Sequence, residues 1–127
     1  MNREEDKLNP LNISCTKVTP RVQFDAETGI LEMSGNSQPY HVLDFYNPIL
    51  EWLDKYALSP SSSTVFNFKL VYFNTASAKI ILDIMLKLEK MPNVTIKWFY
   101  ASDDDDMKVA GEEYADLLNV AIETIEY

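Results

Sequence analysis

The chain has 127 residues, 46% of them hydrophobic and 12% aromatic, enough for one core and too apolar for a disordered segment. Its formal net charge of −9 argues against nucleic acid as a partner, because that affinity comes largely from Lys and Arg neutralising phosphates. The single cysteine, Cys15, excludes an internal disulfide and a cysteine-rich zinc site. The start, MNREEDKLNPLNIS, has no apolar core of the kind a signal peptide needs, and no run of about 18 apolar residues follows. No membrane partner and a cytoplasmic location are therefore expected.

Residues 1–15 lack periodicity and are expected to form a flexible tail, leaving 16–127 as the domain. Val22 and Phe24 alternate with polar neighbours, and Leu31 and Met33 lie opposite Ile30, Glu32 and Ser34 on the next segment. The turn residues Asp25 to Gly29 between them complete a hairpin signal. Phe45, Tyr46, Ile49, Trp52, Leu53 and Tyr56 recur at helical spacing. Asp44 or Asn47 is the expected cap of that helix, which would put Pro48 in its first turn.

Val65 to Phe73 is an almost continuous apolar run, expected to be a strand covered on both faces or along most of its length. A helix follows at once, with Ala78, Ile81, Leu82, Met85 and Leu88 on its core face and Ile80, Ile84 and Met91 on another. Val94 to Tyr100 is a strand, and Asp103 to Asp106 an acidic loop or helix start. An amphipathic helix with Val109, Tyr114, Leu117 and Leu118 comes next, then a short strand within Ala121 to Tyr127. The order β-β-α-β-α-β-α-β predicts an α/β fold: a mixed sheet of about five strands with helices packed against it.

Few residues carry chemistry. The only glycines, Gly29, Gly35 and Gly111, are too far apart for a phosphate-binding loop, and His41 has no catalytic companion near it in sequence. Asp103 to Asp106 offers carboxylates to a hard cation, but without the spacing or turn glycine of a calcium loop. The same run also fits a helix start, where negative charge complements the dipole.

The junction Asn74-Thr75-Ala76-Ser77 sits where a strand C-terminus meets a helix N-terminus, the edge that carries function in α/β sheets. Its polar side chains can cap the helix. A phosphate on Thr75 or, as second choice, Ser77 would equally suit a helix N-terminus, whose free N–H groups favour an anion. A helix apolar nearly all round can also present part of itself to a partner, which makes Ile80, Ile84 and Lys87 candidate contacts beside Asn74.

VYFNTASAKIILDIMLKLEK resembles the phosphorylation segment of STAS domains, the bacterial anti-sigma factor antagonists. Asn74-Thr75 stands where those proteins have Asp-Ser, and no glycine follows. The chain more closely resembles the SiaC family of bacterial regulatory phosphoproteins over residues 16–127. The resemblance rests on Thr19-Pro20, the segment from Gly29 to Ser37, Glu51-Trp52, Tyr72 to Lys79, Leu82 to Glu89 and Trp98 to Tyr100. The four aspartates depart from the family pattern.

The SiaC resemblance implies a STAS-like adaptor without catalytic activity or cofactor. A Ser/Thr kinase of histidine-kinase-like fold would phosphorylate it on Thr75, with Asn74 orienting the segment, and a PP2C-type phosphatase would reverse this. The unphosphorylated form would activate a diguanylate cyclase and so control cyclic di-GMP signalling. Two alternatives stay open: an anti-sigma factor antagonist of a partner-switching system, and a small metal-dependent or acid–base enzyme using Asp103 to Asp106.

Overall fold

The computed structural model describes residues 8–127. The predicted hairpin forms as β2 (Arg21–Asp25) and β3 (Ile30–Ser37), antiparallel with Val22 opposite Met33 and Phe24 opposite Leu31. Its turn needs a left-handed residue, supplied by Gly29 at φ 75°, whose N–H donates to the Asp25 carbonyl at 3.0 Å.

From β3 the chain repeats one move. It crosses through α1 (Val42–Leu58) to β4 (Thr64–Phe73), through α2 (Thr75–Glu89) to β5 (Val94–Tyr100), and through α3 (Asp105–Leu117) to β6 (Ile122–Glu126). Each new strand lies parallel beside the last. Crossovers of one hand, all stepping the same way along a sheet, deliver every helix to the same face.

This arrangement corrects the expectation for β4. Thr64, Phe66, Phe68 and Leu70 are buried, while Val65, Asn67 and Lys69 between them are only partly covered. The strand is covered on one face, and its apolar continuity reflects β-branched and aromatic residues suited to a pleated surface. On the open face Lys69 bridges Glu32 at 3.0 Å. On the covered face Val22, Phe24, Leu31, Met33, Phe66, Phe68, Ile96 and Trp98 meet helix residues such as Tyr46, Ile49, Leu53, Ile81 and Met85.

The sheet has six strands in the order β1 to β6, one more than expected. The addition is β1 (Leu11–Ile13), antiparallel to β2 on the sheet edge. It lies inside the stretch 1–15 read as a tail, of which residues 1–7 fall outside the described part. Three residues are too short for a periodicity signal, yet Trp52 Nε1 donates to the Asn9 carbonyl at 2.7 Å and ties the segment to α1.

Two local expectations also shift. Helix α1 starts at His41, which makes no side-chain cap, so Pro48 lies inside the helix and beyond its first turn. Both Pro48 and Asp44, whose carbonyl loses its intrahelical donor there, face solvent, where water can satisfy it. Among the described residues no helix is long and apolar enough to cross a membrane.

Candidate functional site

The C-terminal edge of the parallel strands carries the start of α2. Strand β4 runs on to Phe73 after its pairing with β5 has ended at Phe68 opposite Trp98. The other side stays tied to β3, with a register shift after Gly35 that brings Ser37 opposite Phe73. Val71 and Tyr72 are consequently exposed, at 61% and 50%, beside the helix start.

Asn74 is the cap. Its Oδ1 accepts from the Ser77 N–H at 2.9 Å, and its carbonyl accepts from the Ala78 N–H at 2.9 Å. Its own N–H donates to the Ser37 carbonyl at 3.0 Å, fixing the junction to the sheet. With Ser77 and Ala78 satisfied, the amides of Thr75 and Ala76 are the first-turn donors left for another acceptor.

The two candidate hydroxyls are in opposite environments. Thr75, the first residue of α2, is exposed. Ser77 is fully buried and accepts from Ser37 Oγ at 2.8 Å, while Ser37 Oγ pairs with the Tyr46 hydroxyl at 2.5 Å. Since the single Ser37 proton goes to Ser77, Tyr46 donates to Ser37. This chain of hydroxyls staples α2 to β3 and α1, and no enzyme reaches Ser77 while the helix start is intact.

The expected partner face of α2 is not a surface. Ile84 is fully buried, Ile80 is 9% exposed, and Lys87 Nζ bridges Asp54 of α1 at 2.7 Å. That side of the helix packs on α1, while Ile81, Met85 and Leu88 pack into the core. Ile80 and Ile84 are therefore corrected from partner contacts to core, while Lys87 stays half-exposed in a surface ion pair with Asp54. The least covered apolar ridge is Ala78, Leu82 and Leu86, the first two half-buried and Leu86 38% exposed. Leu82, expected on the core face, is half-buried and packs against the core from the edge of this ridge.

This ridge faces α3 across a groove of about 280 Å³ lined by Thr75, Ala78, Lys79, Leu82, Tyr114 and Leu117, among others. Tyr114 closes the groove base by donating to the Ala78 carbonyl at 2.8 Å. A second cleft of about 230 Å³ lies between the end of β4 and the start of α3, where Tyr72 and Phe73 meet Asp104 and Asp106. The hydroxyl junction and the acidic run are thus neighbours. Asp104 caps α3, its Oδ1 accepting from the Met107 N–H at 3.0 Å, with Asp105 and Asp106 in the first turn. Among the described residues no group of three or more His, Cys, Asp or Glu is placed to hold a metal ion.

Burial pushes the phenols of Tyr46 and Tyr114 above their ordinary value of 10.0. The hydrogen bonds to Ser37 and Ser77 oppose this at Tyr46, while the charges of Tyr46 and Glu113 add to it at Tyr114. Above pH 10 the unfolded chain loses protons that the native state keeps. The stability these phenols supply is therefore complete below about pH 10 and falls as pH rises through their native values. Urea midpoints should show that decline, and Tyr114→Phe should make it shallower.

A family model described as SiaC family regulatory phosphoprotein matches residues 13–127. An uncharacterized protein of Pseudomonas aeruginosa strain UCBPP-PA14 is 26% identical over 111 residues, covering 84% of this chain and 88% of its own. The crystal structure of apo-SiaC from Pseudomonas aeruginosa superposes with a TM-score of 0.84 at 25% identity, over 92% of this chain and 98% of that one. In the crystal structure of the diguanylate cyclase SiaD with its activator SiaC, from the same species, one chain matches with a TM-score of 0.87 at 24% identity, over 92% of this chain and 99% of that one. The matched stretch takes in β2 to β6 and all three helices, with only the last residue of β1, and the family is one of regulators, not enzymes. This chain belongs to the SiaC family of regulatory phosphoproteins.

Proposed function

We propose that the protein is a cytoplasmic adaptor whose contact with a diguanylate cyclase is switched by reversible phosphorylation of Thr75. The observation that carries this reading is the contrast within one turn of helix: Thr75 is open to solvent at the lip of an apolar groove, and Ser77 is sealed. The phosphoryl group of ATP would pass to Thr75 Oγ1, the hydroxyl proton leaving to the kinase's base. The product dianion would lie near the unpaired Thr75 and Ala76 amides, which favour it. The kinase is of the histidine-kinase-like Ser/Thr type, and a PP2C-type phosphatase hydrolyses the ester.

A phosphate there acts on binding, not on the fold. It places about two negative charges against an apolar groove, where a partner could cover it only by stripping its water. The relative described as the activator of a diguanylate cyclase supports a cyclase as that partner. Unphosphorylated protein should therefore stimulate its cognate cyclase at least about tenfold more than the phosphorylated form, a difference of about 1.4 kcal/mol. Equal stimulation by both forms, or retention of an anti-sigma factor in place of a cyclase, refutes the reading.

A further inference from the structure

We propose that Ser37 and Tyr46 are positioning residues for phosphoryl transfer, holding the first turn of α2 so that Thr75 is the one hydroxyl of the junction a kinase can use. The inference rests on the adaptor reading of this site and adds what selects its acceptor.

Ser37 grips the junction at both ends. Its carbonyl accepts from the Asn74 N–H at 3.0 Å, and its hydroxyl donates to Ser77 Oγ at 2.8 Å. Asn74 Oδ1 closes the ring by accepting from the Ser77 N–H at 2.9 Å. Thr75 and Ala76 are therefore bracketed between two residues tied to one strand position. Tyr46 sets the direction of the Ser37 hydroxyl: by donating to Ser37 Oγ it leaves the single Ser37 proton for Ser77. Ser37, Tyr46 and Ser77 are all at 0% exposure, so no water replaces a broken link.

The clamp matters because the junction offers two acceptors. Residues two apart on a helix lie about 200° apart around its axis, so a helical turn sends Thr75 to solvent and Ser77 to the core. Once the turn opens, that distinction is gone and both hydroxyls are free. Opening it means unmaking the buried chain, a local unfolding event that the clamp opposes. The clamp also fixes where the Thr75 hydroxyl stands relative to a docked kinase, and a misplacement of about 1 Å can cost a transfer step roughly 10²-fold. Modification at a single site is thus a property of Ser37 and Tyr46 as much as of Thr75.

Ser37→Ala removes the central link, Tyr46→Phe removes the outer one, and Tyr56→Phe is the matched control. Tyr56 lies at the other end of α1, 1% exposed, and its hydroxyl pairs with Thr64 Oγ1 at 2.7 Å, so its loss disturbs a comparable buried bond away from the junction. Each protein is incubated with the cognate kinase below its melting transition, and phosphate is mapped by site. Wild type and Tyr56→Phe should carry phosphate on Thr75 alone. Ser37→Ala should be labelled on Ser77 as well, with Thr75 modified at least about tenfold more slowly. Tyr46→Phe, which keeps the Ser37–Ser77 bond, should shift the same way by less. Amide exchange supplies a readout without a kinase: the Ser77 and Ala78 amides should exchange at least about tenfold faster in Ser37→Ala and at the wild-type rate in Tyr56→Phe. Labelling of Ser37→Ala and Tyr46→Phe on Thr75 alone at the wild-type rate overturns the proposal. So does Ser77 labelling of Tyr56→Phe, or unchanged exchange in Ser37→Ala. Wild type that takes no phosphate on Thr75 would instead defeat the adaptor reading, with the clamp still judged by exchange.

Discussion

Gly111→Ala is expected to cost about 2 kcal/mol of folding stability, although glycine to alanine within a helix by itself stabilises by about 0.5–1 kcal/mol. The reason is Trp98. A Cβ on Gly111 would lie 2.4 Å from Trp98 Cδ1, 2.8 Å from Cγ and 2.9 Å from Nε1. The indole has nowhere to go: it is fully buried, donates to the Met107 carbonyl at 2.8 Å, and packs on Phe68, Phe73 and Tyr114. Helix α3 must lift off β5 instead, and dense interiors resist such shifts. Thermal melts should fall by roughly 6–10 °C. A variant as stable as wild type would mean that α3 does not seat on Trp98 as described.

Thr75→Ala and Asn74→Ala should behave in opposite ways, which separates the switch from the cap. The cap belongs to Asn74, so Asn74→Ala should lose about 1 kcal/mol. Thr75 is exposed at the first helical position, and its replacement should stay within about 0.5 kcal/mol of wild type. Yet Thr75→Ala should accept no phosphate and remain permanently in the cyclase-activating form. Chemical denaturation gives the first comparison, and labelling with the cognate kinase gives the second. If Thr75→Ala proved as destabilising as Asn74→Ala, its hydroxyl would be structural and the switch assignment would lose its footing.

The sequence disclosed the element order because alternation at Val22 and Phe24 and helical spacing from Phe45 to Tyr56 are strong local signals. It also located the junction, since the change of period from β4 to α2 falls within a few residues. What it hid was depth. Thr75 and Ser77 look interchangeable in a string of letters, and only the register shift that brings Ser37 under the helix shows that Ser77 is stapled from below. Ile80 and Ile84 were misjudged for a related reason: an all-round apolar helix does not reveal which stripe a neighbouring helix covers. Of the two readings of β4, coverage along most of its length holds from Thr64 to Leu70, while coverage on both faces fails because sidedness comes from crossover direction, a property of the whole chain.

The central claim, that Thr75 is the residue written on by a kinase, is tested most directly by mapping phosphate on the intact wild-type protein after incubation with its cognate kinase. One phosphate per chain, on Thr75, with Ser77 unmodified in the folded protein, is the predicted result. Phosphate on Ser77 or another residue, or full labelling of Thr75→Ala, would contradict it.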